Sequence, residues 1–418
     1  MYSWSSALVD HIGALESRVL AIFLVEDSVI PHVTNKAVVE YLAWCGQVLL
    51  DGVFPLRDFY NNAWEPNSWR AEMAGQSLAG GWGAAFSSIS HDEKARKETH
   101  HFKQFYSCTL MCESCTACQH SSDKSPGNFR SDAGWRPGLV SDQQYLTQTP
   151  VQELSPWASH PGWRLSRSLH DLMHCCHLGF GKDFTAQLIY DLCRHGYEAG
   201  DGLQAQLSSL WLRFRKWCKR HGISHPKRKL SCKVIGLDMK SPNRTFPELN
   251  SRTKAAHVKP LIHFLAWRCK RILAVKFRRP SDEHAELRAK CAYGLSNFLY
   301  ILDCSGVFLD EAQATEAVSS GRIFLLAWQT LAVKHLGTFA YKVRPKHHYF
   351  EHLLMTLRET RENPRILSNF ADEDFMGKIV KQARHQHRRT CVQQTVALYV
   401  LCLRHRWRHA KFALPPRA

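Results

Sequence analysis

Four cysteines crowd the stretch "YSCTLMCESCTACQH": Cys108, Cys112, Cys115 and Cys118. A C-x-x-C step presents two thiolates to one tetrahedral Zn²⁺, and two such steps here share Cys115. His100, His101 and His120 are near enough in the chain to add nitrogen. Two readings stand open, a zinc site or a set of free thiols. A catalytic cysteine fits less well, because no thiol is isolated beside a partner histidine.

Two histidine motifs and one acidic run follow. "LHDLMHCCHLG" gathers His170, Asp171, His174 and His177, and on a continuous helix His170 and His174 would share a face. A metalloprotease helix has that spacing, but the glutamate base is missing, so a structural histidine pair is the better reading. "RPKHHYFEHLL" supplies His347, His348, Glu351 and His352. His348 and His352 with Glu351 can reach a metal or a phosphate, or form the polar face of a helix beginning after Pro345. In "SNFADEDFMGK", Asp372, Glu373 and Asp374 stand together, and no acid follows them. They read as a solvated turn, a helix start, charge balance, or one wall of a metal site.

The elements that must position these groups are mostly helical. "SRVLAIFLVEDS" has the composition of a short buried strand, and "TNKAVVEYLAWCGQVLLDG" that of a capped helix. Residues 61–90 and 108–160 are loop-like. After Ser166 helices dominate, with a break expected at Gly179 and Gly181. "DGLQAQLSSLWLRFRKWCKRHG" is amphipathic, with Leu203, Leu207, Leu210, Phe214 and Trp217 on the 3.6-residue period. Helices are expected over 254–277, 284–303, 311–318 and 321–336, then over "HHYFEHLLMTLRET" and "TVALYVLCLRHRW".

Composition narrows the partners. The chain has 418 residues, 44% of them hydrophobic, and a formal charge of +18. Such a charge points to a polyanion, DNA above all, because bound phosphates release counterions. The basic residues to test are Arg213, Arg215, Lys216, Lys219 and Arg220 on one helix, then Lys227, Arg228 and Lys229 in the following linker; a solvated face is the bland alternative. Fifteen cysteines in so long a chain do not form the framework of a secreted protein. The N-terminus lacks a signal pattern, and the apolar runs are strand-sized. The expectation is a soluble protein of a reducing compartment, the nucleus, with no membrane partner; self-association stays open.

In this order, the motifs resemble the RNase H-like DDE transposases of the CACTA (En/Spm) and Plavaka type, as found in dinoflagellate transposable elements. "DLMHCCHLG" at 171–179 and "EDFMGK" at 373–378 match best. The resemblance implies an α/β fold, RNase H-like with an incomplete sheet, carrying a large mostly α-helical insertion, and predominantly helical overall. It implies segments at 1–107 (N-terminal core), 108–160 (Cys-rich insert), 161–340 (helical insertion), 341–408 (C-terminal core) and 409–418 (tail).

That family transfers DNA strands with Mg²⁺ ions held by three acids. Carried over by residue, Glu373 matches the third acid and Asp92, in "ISHDEKARKETHHF", the second, with Glu93 as the fallback. The first acid has no convincing match near Met1. The resemblance therefore implies a truncated copy that binds DNA and is catalytically dead. A non-catalytic zinc- and nucleic-acid-binding protein, or an unrelated helical scaffold, is the alternative.

Overall fold

A computed structural model describes residues 2–5, 18–24, 27, 29–30, 33–85, 87–226, 229–238, 244–274 and 282–409. The elements begin with β1 (Tyr2–Ser5), β2 (Arg18–Ile22), α1 (Val33–Asp51), α2 (Trp69–Met73), β3 (Ile89–His91), α3 (Glu93–His100) and α4 (Asp142–Gln148). β4 (Ser168–His170), a stretch of π-helix (Met173–Phe180), α5 (Gly181–Arg194), α6 (Leu203–Arg220) and α7 (Ala255–Ala274) come next. α8 (Ala285–Cys304), α9 (Glu311–Lys334), α10 (Pro345–Thr360), α11 (Phe370–Ala383) and α12 (Cys391–His409) complete the order. The chain is predominantly helical, as expected. Among the described residues its strands form only two two-stranded sheets, β1–β2 antiparallel and β3–β4 parallel.

The chain divides into a terminal unit, Met1–Ala84 with Ser368–Ala418, and a helical unit, Ala85–Leu367. The expected boundary at 107/108 falls inside the helical unit, and the expected 341–408 segment is shared between the two. Within the terminal unit, Phe375 and Ile379 of α11 pack on Tyr399 of α12, with Leu20 and Phe23 against them. The Tyr399 hydroxyl accepts the Leu20 N–H at 3.0 Å, which ties β2 to α12.

The helical unit is built around stacked rings. Phe180, Phe184, Phe324, Trp328 and Phe350 are fully buried in one core drawn from α5, α9, α10 and the π-helix. α6 buries Leu207, Leu210, Trp211, Phe214 and Trp217, close to the periodic set read from sequence. α9 corrects the expected pair 311–318 and 321–336, because it is one helix. Ser320, in the expected gap, and the adjoining Gly321 are contact points. A Cβ on Gly321 would lie 2.6 Å from the Leu354 side chain of α10, and one on Gly294 of α8 would lie 2.6 Å from the Ser320 carbonyl. Small residues there let three helices approach closely, and the capping box of Asp310 and Gln313 starts α9 cleanly.

Candidate metal centre

The cysteine-rich stretch folds as a small hairpin. Leu110 bridges Cys118 antiparallel, and the Gln119 N–H donates to the Thr109 carbonyl at 3.0 Å. The turn "CESC" between these arms carries Cys112 and Cys115 to the tip, both buried. Facing them is α10, which Pro345 starts at its first turn. The i, i+4 spacing of His348 and His352 puts both rings on one side of that helix. Tyr349 of α10 donates to the Met111 carbonyl at 3.2 Å, and Trp135 stands edge-on to the His348 ring at 4.7 Å.

Cys112, Cys115, His348 and His352 form a buried group able to hold a metal such as zinc, with all four ligand atoms within 4.8 Å of one another. Cys112 Sγ lies 3.4 Å from His352 Nε2, Cys115 Sγ 3.2 Å from His348 Nε2, and the two Nε2 atoms are 3.1 Å apart. A tetrahedron with Zn–S near 2.3 Å and Zn–N near 2.0–2.1 Å has edges of about 3.6 Å from S to N and about 3.3 Å from N to N. The spacing fits a metal of that size.

Hydrogen bonding alone fits worse. An imidazole nitrogen carries one N–H or one lone pair in the ring plane. Each Nε2 here faces a sulfur and another nitrogen at once, which a single proton or lone pair cannot serve. A cation between them serves all four. Burial pushes the Cys112 thiol well up, and a dication on the sulfur offsets that by holding the thiolate. All four positions are protein donors, which is the closed set of a structural site and not the open set of a catalytic one.

Charged groups brace the hairpin. Glu113, inside the Cys112–Cys115 turn, is ion-paired with Arg96 of α3, and both side chains are 3% exposed. Burial works against the Glu113 carboxylate, yet Arg96 outweighs it and holds that carboxyl well below its ordinary range. Arg96 Nε also donates to the Ser168 carbonyl of β4 at 2.8 Å. Arg136 pairs with Glu351 of α10 in the same way. Replacing Arg96 by Met leaves Glu113 buried without its partner. We expect a loss of about 3–5 kcal/mol in denaturant unfolding, mostly recovered in the double variant Arg96→Met/Glu113→Leu; an Arg96→Met protein as stable as the parent would remove this brace from the picture.

The group takes half of the expected cysteine set. Cys108 and Cys118 lie at the base of the hairpin, away from its tip; Cys108 Sγ contacts the Lys103 carbonyl at 3.7 Å. Nor do His100, His101 and His120 join. His100 accepts from Trp163 at 3.3 Å, and His101 ends α3 in the left-handed region at φ 56°. The second ligand pair instead comes from α10, whose His348 and His352 the sequence leaves open between a metal or phosphate contact and the polar face of a helix. An H-x-x-x-H step on a helix, paired with a distant C-x-x-C, was the sequence signal for it.

Other expected residues have different employment. His170 ends strand β4, so it shares no helix face with His174; its Nδ1 lies 2.7 Å from Glu93 Oε1, whereas His174 Nδ1 bonds Asp171 of its own turn. Asp92 is the N-cap of α3, accepting the Ala95 N–H at 2.8 Å. Glu373 is in the first turn of α11 and belongs to the terminal unit, whereas Asp92 belongs to the helical unit. A second metal-capable group among the described residues, Glu93, His170 and Cys175, holds one carboxylate, and the first holds none; Mg²⁺ prefers oxygen ligands, so nothing in the structure supports the expected Mg²⁺. Arg215, Lys216, Lys219, Arg220 and Lys229 are exposed, and Lys227 and Arg228 lie outside the described residues. Arg213 differs from its neighbours, because its Nε is held 2.9 Å from Glu198. No helix among the described residues is long and apolar enough to cross a membrane. Comparisons with protein-family models, curated proteins and solved structures find no match for this chain.

Proposed function

We propose that the chain is a zinc-stapled nucleic-acid-binding protein of DDE-transposase descent, one that binds DNA without cutting it. The observation that carries the binding is α6. Its apolar side is buried in the core, and Arg215, Lys216, Lys219 and Arg220 are exposed on the other. With a formal charge of +18 behind it, this face attracts phosphates and releases their counterions. Zinc in the Cys112, Cys115, His348 and His352 group fixes the hairpin to α10 and takes no part in chemistry.

The transposase descent rests on the motif order and on the parallel ladder of β3 with β4, which is in keeping with a reduced RNase H-like sheet. Absence of cleavage is supported by Asp92, whose carboxylate caps α3. None of the fifteen cysteines is in a disulfide, in keeping with a reducing compartment such as the nucleus.

Salt dependence tests the binding. The affinity for a short DNA duplex, followed by anisotropy, should fall steeply with ionic strength. Replacing Arg215, Lys216, Lys219 and Arg220 together by Ala should flatten the slope of log K against log salt by about 3–4. An unchanged slope would discard α6 as the phosphate-binding face. No strand cleavage is expected with Mg²⁺ or Mn²⁺, and Glu373→Ala should change nothing; metal-dependent nicking lost in that variant would overturn the non-catalytic reading.

A further inference from the structure

Two cavities of ligand size lie in the helical unit, and their linings differ in charge. One, of about 320 Å³, adjoins the metal-ligand group through His352 and includes Asp142, Glu359 and Glu362; its acids repel a polyanion. The other, of about 460 Å³, is walled by Trp211 of α6 with Leu230, Val234, Leu249 and Leu261, and carries His225, Arg252, Thr253 and His257. Pockets of roughly 300–1,000 Å³ take small organic groups.

The chain around this second cavity is basic. Arg252 is exposed, and so are Lys229, Lys233 and Lys254, which adjoin Leu230, Val234 and Thr253 in the sequence. Arg215 follows Trp211 by one turn of α6. Glu248, next to Leu249, is already committed to Arg344. A small apolar recess for a base, with Trp211 buried behind it, and cations outside it for the backbone suit a single strand. A duplex cannot use the recess while its bases stay paired and stacked.

Resting on the nucleic-acid reading above, we propose that this cleft receives one unstacked nucleobase of a single strand. The flanking phosphates then meet Arg215, Lys229 and Lys254. Thr253 and His257 offer hydrogen bonds to the base edge, and the planar Arg252 guanidinium is suited to stacking on it.

The test compares a 15-nucleotide oligo-dT strand with a 15-base-pair duplex at one salt concentration, by anisotropy on the full chain. Binding of the strand should be tighter on the order of tenfold. Thr253→Trp, which fills the cleft, should remove that preference and leave duplex affinity in place, with metal content and circular dichroism confirming the fold. Arg252→Lys keeps the charge and should weaken only the strand. Equal affinity for strand and duplex, or a preference untouched by both variants, overturns the base-binding cleft and leaves the phosphate-binding face standing. Failure to bind either nucleic acid overturns both.

Discussion

Stripping zinc from the purified chain is expected to unfold the helical unit, and the protein should carry one equivalent of metal before treatment. Structural zinc contributes about 10–16 kcal/mol in small peptides at neutral pH. A whole domain is stable by only about 5–15 kcal/mol. Even a fraction of the first figure is therefore decisive for a unit whose hairpin is held to α10 by the four ligands. Removal also leaves Cys112, Cys115, His348 and His352 buried with two of their nitrogens competing for the same partners. Elemental analysis and circular dichroism during titration with a chelator read the outcome directly. Cys115→Ser and His348→Ala should each lose the metal and most of the cooperative transition. Cys108→Ser and Cys118→Ser should keep both. Zinc lost from the Cys108 or Cys118 variant, or absent from the parent protein, would sink the assignment.

What the sequence disclosed of this centre was the half that is local. Cys112 and Cys115 are spaced so that one turn sets both thiols, and such a step is readable without a fold. His348 lies 233 positions from Cys115, and no local rule selects it over the three histidines near the cysteines. The i, i+4 step of His348 and His352 was visible, but its partner was a matter of tertiary packing. Glu113 shows the same limit. Between two cysteines it reads as an exposed turn acid, and only the fold brings Arg96 of α3 against it. α6 was legible in its period, which one buried face sets, although Leu203 is only half-buried and the buried Trp211 was not in the expected set. α9 was not, since Ser320 and Gly321 imitate a break when taken alone and serve as a close contact when α8 and α10 are present. Asp92 shows a related ambiguity. An acid ahead of a helical run is as good a cap as a ligand, and the Ala95 N–H takes it.

Acidification should unfold the helical unit near pH 5, ahead of any requirement for denaturant. Burial, with Arg96 adding to it, pushes His91 down to about 3; burial and Lys259 bring His177 to about 3 and His263 to about 4. Neither ring nitrogen of His91 has a hydrogen-bond partner. In the unfolded chain each takes its proton near pH 6.5, whereas in the folded chain it stays neutral. The stability involved is thus intact above about pH 6.5 and is lost as the pH falls from there toward 3–4. At pH 5 the loss is about 2 kcal/mol for each histidine. Asp183, pushed up to about 6 by burial, acts in the opposite sense and returns only about 1 kcal/mol over the same interval. These four groups together lose about 5 kcal/mol, comparable to the whole reserve of a modest domain. Zinc release in acid would produce a similar collapse, so the two causes have to be separated. His91→Phe removes one titrating group far from the ligands in sequence and fills its place with a ring. Its acid midpoint should move down by about one pH unit or more, with the metal content at pH 7.5 unchanged. A midpoint that stays fixed while metal release and unfolding coincide would assign the acid sensitivity to the cysteines and not to the buried histidines.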